Sequence, residues 1–260
     1  MNTQDVPPAH DANTVGQEFK EWFSSPVGRT MLATQRYLVE QATCRYFGYH
    51  QLEILLDQDL GVAENSLLGH RIVAVPELNE HKPDRVLVCQ SHELPLVSDS
   101  IDLVVLHHTL DVSPEPHQTL REVCRVLRSS GNIVIIGFNP FSTWGMRKYL
   151  FRSKRAPWNG RFISPARLED WLTLLDFQLH QIRHCFYAPP VSSLRWLSRL
   201  DFLNRLGEKL NLPVGAFYVI QAQKRVGGMI PLKPRWQRNR SVAGAAVVHQ
   251  FTPYRKNEKN

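Results

Sequence analysis

The stretch that decides the fold is Asp102–Pro140, DLVVLHHTLDVSPEPHQTLREVCRVLRSSGNIVIIGFNP. It opens with one apolar run and closes with another, and neither run alternates between apolar and polar residues. Such runs are typical of parallel strands whose two faces are both covered. Between them, four residues form one apolar helical stripe: Leu120, Val123, Cys124 and Leu127. The stretch therefore predicts a strand, a helix and a second parallel strand.

The same alternation of strand and helix continues on both sides of this unit. Apolar runs predict seven strands, namely Leu52–Leu56, Arg71–Val75, Arg85–Cys89, Ile101–Leu106, Asn132–Phe138, Phe177–Tyr187 and Ala216–Gln223. Helical spacing predicts helices at Ser164–Leu175 and Ser192–Leu210. The predicted fold class is therefore α/β, with a Rossmann-like, mostly parallel sheet and helices on both faces. Ligands of such sheets bind at the carboxyl ends of the strands.

The chain divides into four predicted parts. Residues 1–15 are expected to be disordered, and residues 16–48 to form two helices that pack on the core. Residues 49–224 form the main domain, which includes the insert helix 192–210. Residues 225–260 form a basic tail that is expected to be disordered. From Lys224 onward there are nine Lys or Arg and one acid, a net charge of +8 within the total of +7, so the rest of the chain is nearly balanced at −1.

Composition excludes several classes of protein. No apolar run approaches the ~20 residues of a membrane helix, and the first residues lack the basic start and apolar stretch of a secretory signal. None of the four cysteines lies within four residues of another, so the chain has no metal-binding CxxC knuckle and no metal site is predicted. Reduced cysteines predict a cytoplasmic protein.

The unit Asp102–Pro140 also carries a resemblance to a known family. The matching residues are Asp102, His108, Pro116, Leu120, Glu122, Arg125, Val126, Leu127 and Gly131. In this order they resemble the fourth strand, following helix and fifth strand of class I S-adenosylmethionine-dependent methyltransferases, of the ubiquinone/menaquinone-methyltransferase-like type. The resemblance extends more loosely over Tyr49–Gln223. It implies a seven-stranded sheet with an antiparallel last strand, and S-adenosyl-L-methionine as the methyl donor.

The resemblance also implies where this cofactor would bind. The family's first loop is an acidic residue followed by G-x-G-x-G, in which glycines let the backbone approach the ligand. Asp57 matches the acid and Gly61 matches the middle glycine, whereas Asp59 and Ala63 replace the outer two. This loop therefore departs from the family pattern.

Three later positions complete the implied cofactor site. Glu77 follows the second strand, where an acid would accept hydrogen bonds from the ribose, but Pro76 displaces it by one residue. Gln90 follows the third strand, where its amide oxygen could accept a bond from the adenine amino group. Leu106 ends the fourth strand. Two interpretations follow from these departures, namely a modified cofactor site and a site that has lost binding.

His108 is a weak candidate for a catalytic residue, because its strand end borders the reaction centre in this fold. It could act as a general base if the acceptor loses a proton. The alternative is a packed residue without a chemical role. His107 precedes it, but adjacent strand residues point to opposite faces, so the pair is not suited to holding one metal ion.

The segment Gly145–Arg161 contains six Lys or Arg, no acid and three aromatic residues. Such a basic loop could bind RNA or another anionic substrate, and the alternative is a solvated connection. The insert helix could be a lid or a membrane-surface helix, and the alternative is a helix that covers the core. Two functions are therefore considered. One is a methyltransferase of unknown acceptor, and the other is a catalytically silent scaffold that binds nucleic acid or a partner protein through the basic loop and tail.

Overall fold

The computed structural model of the chain describes residues 12–77, 86–151, 155–190, 201–210 and 212–225. Residues 1–11, the first half of the predicted insert helix and the basic tail from residue 226 lie outside this described part. The predictions for those segments are therefore not tested by the structure.

One seven-stranded sheet forms the centre of the molecule. Its strands are β1 (His50–Ile54), β2 (His70–Val75), β3 (Val86–Val88), β4 (Ile101–His107), β5 (Leu127–Phe138), β6 (Phe177–Cys185) and β7 (Phe217–Lys224). The strand order is β3-β2-β1-β4-β5-β7-β6. The five strands β1–β5 run parallel, whereas β7 pairs antiparallel with both β5 and β6. The predicted fold class, including the antiparallel last strand, is confirmed.

The largest difference from the predicted strands is at the start of β5. This strand begins at Leu127, five residues before the predicted Asn132. Leu127 is fully buried and pairs with Ile101, and the register then shifts before Leu103 pairs with Asn132. The irregularity explains why periodicity placed Leu127 in the preceding helix, since a buried leucine satisfies either pattern.

Seven helices are present in the described residues. They are α1 (Ala12–Phe23), α2 (Pro26–Thr43), α3 (Thr109–Val112), α4 (Pro116–Val126), α5 (Thr143–Phe151), α6 (Pro165–Leu174) and α7 (Asp201–Leu210). Two of them begin with the side-chain caps that their sequences favour. Ser25 accepts a hydrogen bond from the Gly28 amide, and the predicted cap Ser164 accepts one from Arg167.

Helix α1 corrects one prediction. Disorder was expected through residue 15, but α1 begins at Ala12. Val15 packs against the core, and Phe19 and Phe23, one turn apart, are buried. These contacts stabilise the first turns, which a sequence of polar residues gave no reason to expect.

The two faces of the sheet are covered in different ways. Residues 55–69, which connect β1 to β2, contain no α-helix and only the 3-10 turn Gln58–Leu60. Helices α1 and α2 cover the face on which a β1–β2 crossover helix would lie. The cluster that they form with the sheet includes Phe19, Met31, Leu103, Val134 and Phe138. Helices α4 and α6 cover the opposite face, with Leu52, Leu106, Leu120, Ile135 and Leu168 in its core. The N-terminal helix pair thus takes the place of a β1–β2 crossover helix.

Candidate functional site

A narrow cleft lies at the carboxyl ends of β1, β2 and β3, the edge at which α/β sheets bind ligands. Its volume is about 30 Å³. The lining residues are Ile54, Leu55, Leu56, Ala74, Val75, Pro76, Cys89, Gln90, Ser91, Thr109, Val112, Ser113 and Pro114. The walls are thus mostly apolar, and a few amide and hydroxyl groups interrupt them. Burial raises the pKa of the Cys89 thiol to about 11, so this side chain remains an uncharged thiol in the wall.

The position and chemistry of this cleft suit the adenosyl part of a nucleoside cofactor. Apolar side chains can contact both faces of a purine, and Gln90, Ser91 and Ser113 can bond to its polar edge or to a ribose. The volume, however, admits about two water molecules, whereas ligand pockets are typically about 300 Å³ or larger. The lining residues therefore fit an adenosyl group chemically, but the cleft must widen to admit one.

The loop after β1 does not point its acidic residue into this cleft. Asp57 accepts a hydrogen bond from the Asp59 amide at 2.9 Å and lies 3.3 Å from the Lys20 ammonium of α1. Lys20 also pairs with Asp59 at 2.8 Å, and this hydrogen bond raises the lysine pKa. Asp57 and Asp59 thus bind the N-terminal helix, a contact that neither the loop pattern nor the spacing indicated.

Gly61 is also in contact with side chains of the protein. Its carbonyl accepts a 2.8 Å bond from Arg36 of α2, and a β-carbon built on it would lie 2.6 Å from the Arg71 guanidinium. Its φ of −56° is ordinary for any residue. Gly61 is therefore close to protein side chains, and it does not line the cleft.

A buried carboxylate fixes this loop to the sheet. Glu53 on β1 is fully buried and accepts hydrogen bonds from the amides of Val62 and Ala63, at 2.9 and 2.6 Å. The guanidinium of Arg71 on β2 pairs with its other oxygen. Bonds from charged groups are among the stronger ones in proteins. Glu53 was not singled out from the sequence, because one acid within a strand has no pattern that distinguishes it.

The other implied cofactor residues are spread over different environments. Gln90 lines the cleft. Glu77 is exposed and is not part of the lining. Leu106 is fully buried in the core between the sheet and α4. The structure therefore brings only Gln90, of the five residues implied by the resemblance, to the wall of the cleft.

A chain of buried polar side chains lies beneath the end of β4. Gln35 of α2 bridges the two histidines, with its oxygen 2.9 Å from His107 Nε2 and its nitrogen 2.9 Å from His108 Nε2. Since the amide nitrogen only donates, His108 Nε2 accepts, and its Nδ1 then donates to Asp111 Oδ2 at 2.8 Å. Asp111 Oδ2 also accepts from the Phe138 amide at 3.0 Å.

This arrangement favours a packing role for His108. Both ring nitrogens are bonded within the protein, the ring stacks on Phe138 with centroids 4.2 Å apart, and the residue is buried. Burial lowers the pKa of His108 to about 3 and lowers that of His107 well below its usual value. It raises the pKa of Asp111 well above its usual range. A general-base role for His108 stays a prediction.

A much larger opening lies beside the cleft, between the start of α4, the start of α6 and helix α5. This opening, the basic groove, has a volume of about 1070 Å³. Its cationic and aromatic lining residues are Arg121, Lys148, Arg161, Arg167, Phe141, Tyr149, Phe162 and Trp171. Glu115 is the one acid in the lining, so the groove carries a positive excess. The predicted basic segment Gly145–Arg161 supplies one wall of it.

Three arginines of the groove, Arg121, Arg161 and Arg167, have no carboxylate partner in the described part of the chain, although Arg161 donates to the Pro114 carbonyl at 3.2 Å. Lys148 donates to the Gly160 carbonyl and lies over the Phe162 ring at 4.7 Å, and burial lowers its pKa. Uncompensated cations in a concave site attract anions.

One wall of the groove combines stacking with charge. The rings of His117 and Trp171 have centroids 3.7 Å apart, and the Arg167 guanidinium lies 5.8 Å from the Trp171 ring. Arg121, Arg167 and Trp171 were missed from the sequence as site residues. Their sequence pattern gave little indication of a site, because each lies on an amphipathic helix. On such a helix, arginines on the solvent side and an aromatic residue at the edge of the apolar face are expected without any binding role.

Two further kinds of site were sought in the described residues. No group of three or more His, Cys, Asp or Glu side chains there could hold a metal ion. No described helix has the length and apolar character that a membrane span requires.

Comparison with known proteins identifies one matching domain and several uncharacterised relatives. Residues 70–135 match the family model described as a methyltransferase domain. The uncharacterised protein YafS of Escherichia coli is 39% identical over 145 residues, which are 54% of this chain and 53% of that protein. An uncharacterised protein of Mycobacterium tuberculosis is 30% identical over 200 residues, which are 71% of this chain and 66% of that one. The chain thus spans about half to two thirds of the length of these relatives.

Solved structures share the fold at low sequence identity. A methyltransferase of Thermotoga maritima, described as a possible histamine N-methyltransferase, is 20% identical and superimposes with a TM-score of 0.57. That alignment covers 82% of this chain and 98% of the other. The protein YcgJ of Bacillus subtilis is 14% identical with a TM-score of 0.52, over 75% of this chain and 100% of the other.

Proposed function

We propose that the chain is a class I S-adenosylmethionine-dependent methyltransferase and that it transfers a methyl group to an anionic acceptor bound in the basic groove. The match of residues 70–135 to a methyltransferase domain and the shared fold support the first part of this proposal. A domain of this kind implies S-adenosylmethionine as the cofactor. The observation that carries the choice of acceptor is the groove itself, which holds four cationic side chains and one acid at the edge of the sheet beside the cleft.

The residues of the cleft would hold the adenosyl part of the cofactor. Gln90 would accept a hydrogen bond from the adenine amino group, and Val75, Pro76 and Cys89 would contact the ring. When bound, S-adenosylmethionine supplies a methyl group that its sulfonium has already activated. The protein therefore contributes mainly by holding the acceptor in line with that group.

The groove supplies the binding and orientation of the acceptor. Arg121 and Arg167 would bind its negative charge, because both are exposed and neither pairs with a described carboxylate. Trp171 and Tyr149 offer aromatic faces on which a planar acceptor can stack. This proposal needs no catalytic base, and it agrees with the buried, fully bonded state of His108.

The proposal is tested by transfer of labelled methyl groups to fractions of a cell extract. The acceptor variant Arg121→Glu/Arg167→Glu is compared with Arg29→Glu/Arg45→Glu, which makes the same charge change at exposed arginines of another region. We expect the acceptor variant to lose transfer by about 30-fold or more, as two charge-assisted contacts are removed, while the control stays within twofold.

Cofactor affinity, measured by calorimetry, separates the two halves of the proposal. It should be the same in both variants, since neither pair of arginines lines the cleft. Transfer that both variants lose equally would refute the groove as the acceptor site. Absence of cofactor binding in the wild-type protein would refute the methyltransferase function itself.

A further inference from the structure

The basic groove begins directly beside the cleft. Pro114, in the connection between α3 and α4, is a lining residue of both. The exposed Arg161 donates to the Pro114 carbonyl at 3.2 Å, so its guanidinium lies at this end of the groove. The first cation of the groove is therefore next to the cleft.

Two more arginines lie on the α4–α6 side of the groove, together with two rings. Arg121 follows His117 by one turn of α4, and Arg167 precedes Trp171 by one turn of α6. Each arginine therefore shares a helix face with a ring. The two rings have centroids 3.7 Å apart, and the Arg167 guanidinium lies 5.8 Å from the Trp171 ring. Arg121 and Arg167 thus accompany this ring pair.

These cations are distributed along the groove. Arg161 is bonded beside the start of α4, whereas Arg121 lies five residues beyond Pro116, about 7.5 Å farther along the helix axis. Glu115 is the one acid among the lining residues, so the positive charge remains in excess. One carboxylate or one phosphate is too small to contact all of the arginines. Their distribution favours a ligand that carries several separated negative charges.

The α5 side of the groove offers aromatic rings to the same ligand. Phe141 and Tyr149 line the groove and are 72% and 68% exposed. Exposed rings present faces on which planar groups can stack. A groove that combines such faces with several cations is the arrangement that binds single-stranded nucleic acids, because bases stack on the rings while phosphates contact the cations.

Other polyanions use only part of this arrangement. An acidic peptide supplies negative charges but no regular series of planar groups. A membrane surface supplies phosphates, but it is flat where the groove is concave. A nucleic-acid duplex keeps its bases within its own stack, so they are not free to stack on Phe141 and Tyr149.

We propose that the basic groove binds single-stranded nucleic acid and that a base or sugar of this strand is the methyl acceptor. The second half of this inference rests on the proposed function, in which the acceptor occupies the groove. Phe141 and Tyr149 stack on bases, and Arg121, Arg161 and Arg167 contact phosphates. RNA and single-stranded DNA share these groups and differ in the 2′-hydroxyl.

The transfer step needs no reactant besides the strand and S-adenosylmethionine. A nitrogen or oxygen of the strand forms a bond to the methyl carbon with its lone pair. The carbon–sulfur bond breaks, and its electron pair stays on sulfur, which becomes a neutral thioether. The proton displaced from the acceptor atom leaves to solvent.

Fluorescence anisotropy of the full-length protein tests the binding without the cofactor. The probes are labelled single strands of RNA and of DNA about ten nucleotides long, a length typical of stacking grooves. The same DNA as a duplex, and an abasic DNA strand that keeps the phosphates without the bases, are compared with them. We expect the base-bearing single strands to bind about 10-fold or more tightly than the duplex and the abasic strand. The comparison of RNA with DNA identifies the preferred sugar.

A pair of variants measures the contribution of stacking. Phe141→Ala/Tyr149→Ala should weaken strand binding by about 10-fold for each ring and leave its salt dependence unchanged. The matched control is Phe47→Ala/Tyr37→Ala, which removes one exposed phenylalanine and one exposed tyrosine that do not line the groove. It should bind as the wild type does. Thermal unfolding verifies that all variants are folded.

A second pair of variants measures the phosphate contacts. The slope of log affinity against log salt changes by about 0.7 for each phosphate contact of a single strand. Arg121→Gln/Arg167→Gln should therefore reduce its magnitude by about 1.4. Arg29→Gln/Arg45→Gln, at exposed positions outside the groove, should leave the slope unchanged. The basic tail is the same in every variant, so the differences report on the groove.

Equal affinity for the base-bearing and abasic strands would overturn the proposal, and so would unchanged binding by Phe141→Ala/Tyr149→Ala. Failure of the proposed function gives a different result. If no strand binds, but labelled methyl groups enter another anionic fraction, this inference fails and the methyltransferase function stands. Strand binding by a protein that does not bind S-adenosylmethionine would refute the methyl transfer, including transfer to the strand.

Discussion

The cleft and the basic groove occupy the same edge of one sheet, yet they differ in openness and in the partners of their charged groups. The cleft, at β1–β3, has a volume of about 30 Å³, and the groove, beyond β4 and β5, about 1070 Å³. Beside the cleft, the charges of Asp57, Asp59 and Glu53 are paired with Lys20 and Arg71. In the groove, the arginines have no described carboxylate partner.

The difference follows from how each half of the sheet is covered. The half with β4 and β5 keeps a crossover helix, α4, and the groove opens between the starts of α4 and α6. The β1–β2 connection has no α-helix, so α1 and α2 cover it and bind its loop through Lys20 and Arg36. Side chains of the N-terminal helices occupy the loop's polar groups, which in a glycine-rich loop would face a ligand. The departures from the family's loop pattern lie in this half.

The largest expected effect concerns the ion pair that fixes this loop. Glu53→Gln leaves the Arg71 guanidinium without its buried partner, and we expect the free energy of unfolding to fall by about 3 kcal/mol. The corresponding change in the other half, Glu122→Gln, affects a partly exposed pair with Arg125 and should cost about 1 kcal/mol. Urea denaturation of both variants measures the difference. Equal losses would mean that the β1–β2 loop is no more dependent on buried charge than α4.

The next effect tests whether the narrow cleft binds the cofactor. Cys89→Trp should fill it and lower the affinity for S-adenosylmethionine by about 50-fold or more, equivalent to about 2.3 kcal/mol. Val97→Trp adds the same ring at an exposed position that does not line the cleft, and should leave the affinity unchanged. Isothermal titration calorimetry compares the two. An unchanged affinity in Cys89→Trp would place the cofactor elsewhere.

The smallest effect concerns His107, the buried histidine whose Nε2 bonds to the side-chain oxygen of Gln35. Burial keeps His107 neutral in the folded protein, whereas it binds a proton in the unfolded chain below about pH 6.5. Its contribution to stability is therefore present above that pH and is lost as the pH falls. Between pH 6.5 and 5.5 this loss is about 1 kcal/mol.

The variant His107→Gln, which can still donate to Gln35, should lose about 1 kcal/mol less than the wild type over that interval. Denaturation at the two pH values measures this difference. A variant with the same pH dependence as the wild type would show that His107 is not the group that titrates.

The sequence predicted the sheet well because its signals are local. Runs of Val, Ile and Leu mark buried parallel strands, and Ser164 with Pro165 marks the start of α6. The boundary at Leu127 was less certain for a physical reason. A buried leucine fits the apolar stripe of a helix and the interior of a strand equally well, and pairing with Ile101 decides between them.

The candidate site was predicted less completely, because side-chain direction is not local. Gln90 lies in the wall of the cleft, whereas Asp57 and Gly61 contact α1 and α2. Each of those contacts joins two residues that are 25 or more positions apart in the chain. Helix and strand periodicity relates only residues that are close in sequence, so it does not indicate them. Arg121 and Arg167 come together only because α4 and α6 begin at the same edge of the sheet.

By itself, the sequence determined the class of fold, the alternation of strands and helices, and the resemblance to a methyltransferase domain, since each depends on residues close together in the chain. The tertiary structure alone decided which charges are paired and which are available. That division depends on how distant segments pack: α1 and α2 bring cations to the β1–β2 loop, while no described carboxylate pairs with the arginines of the basic groove.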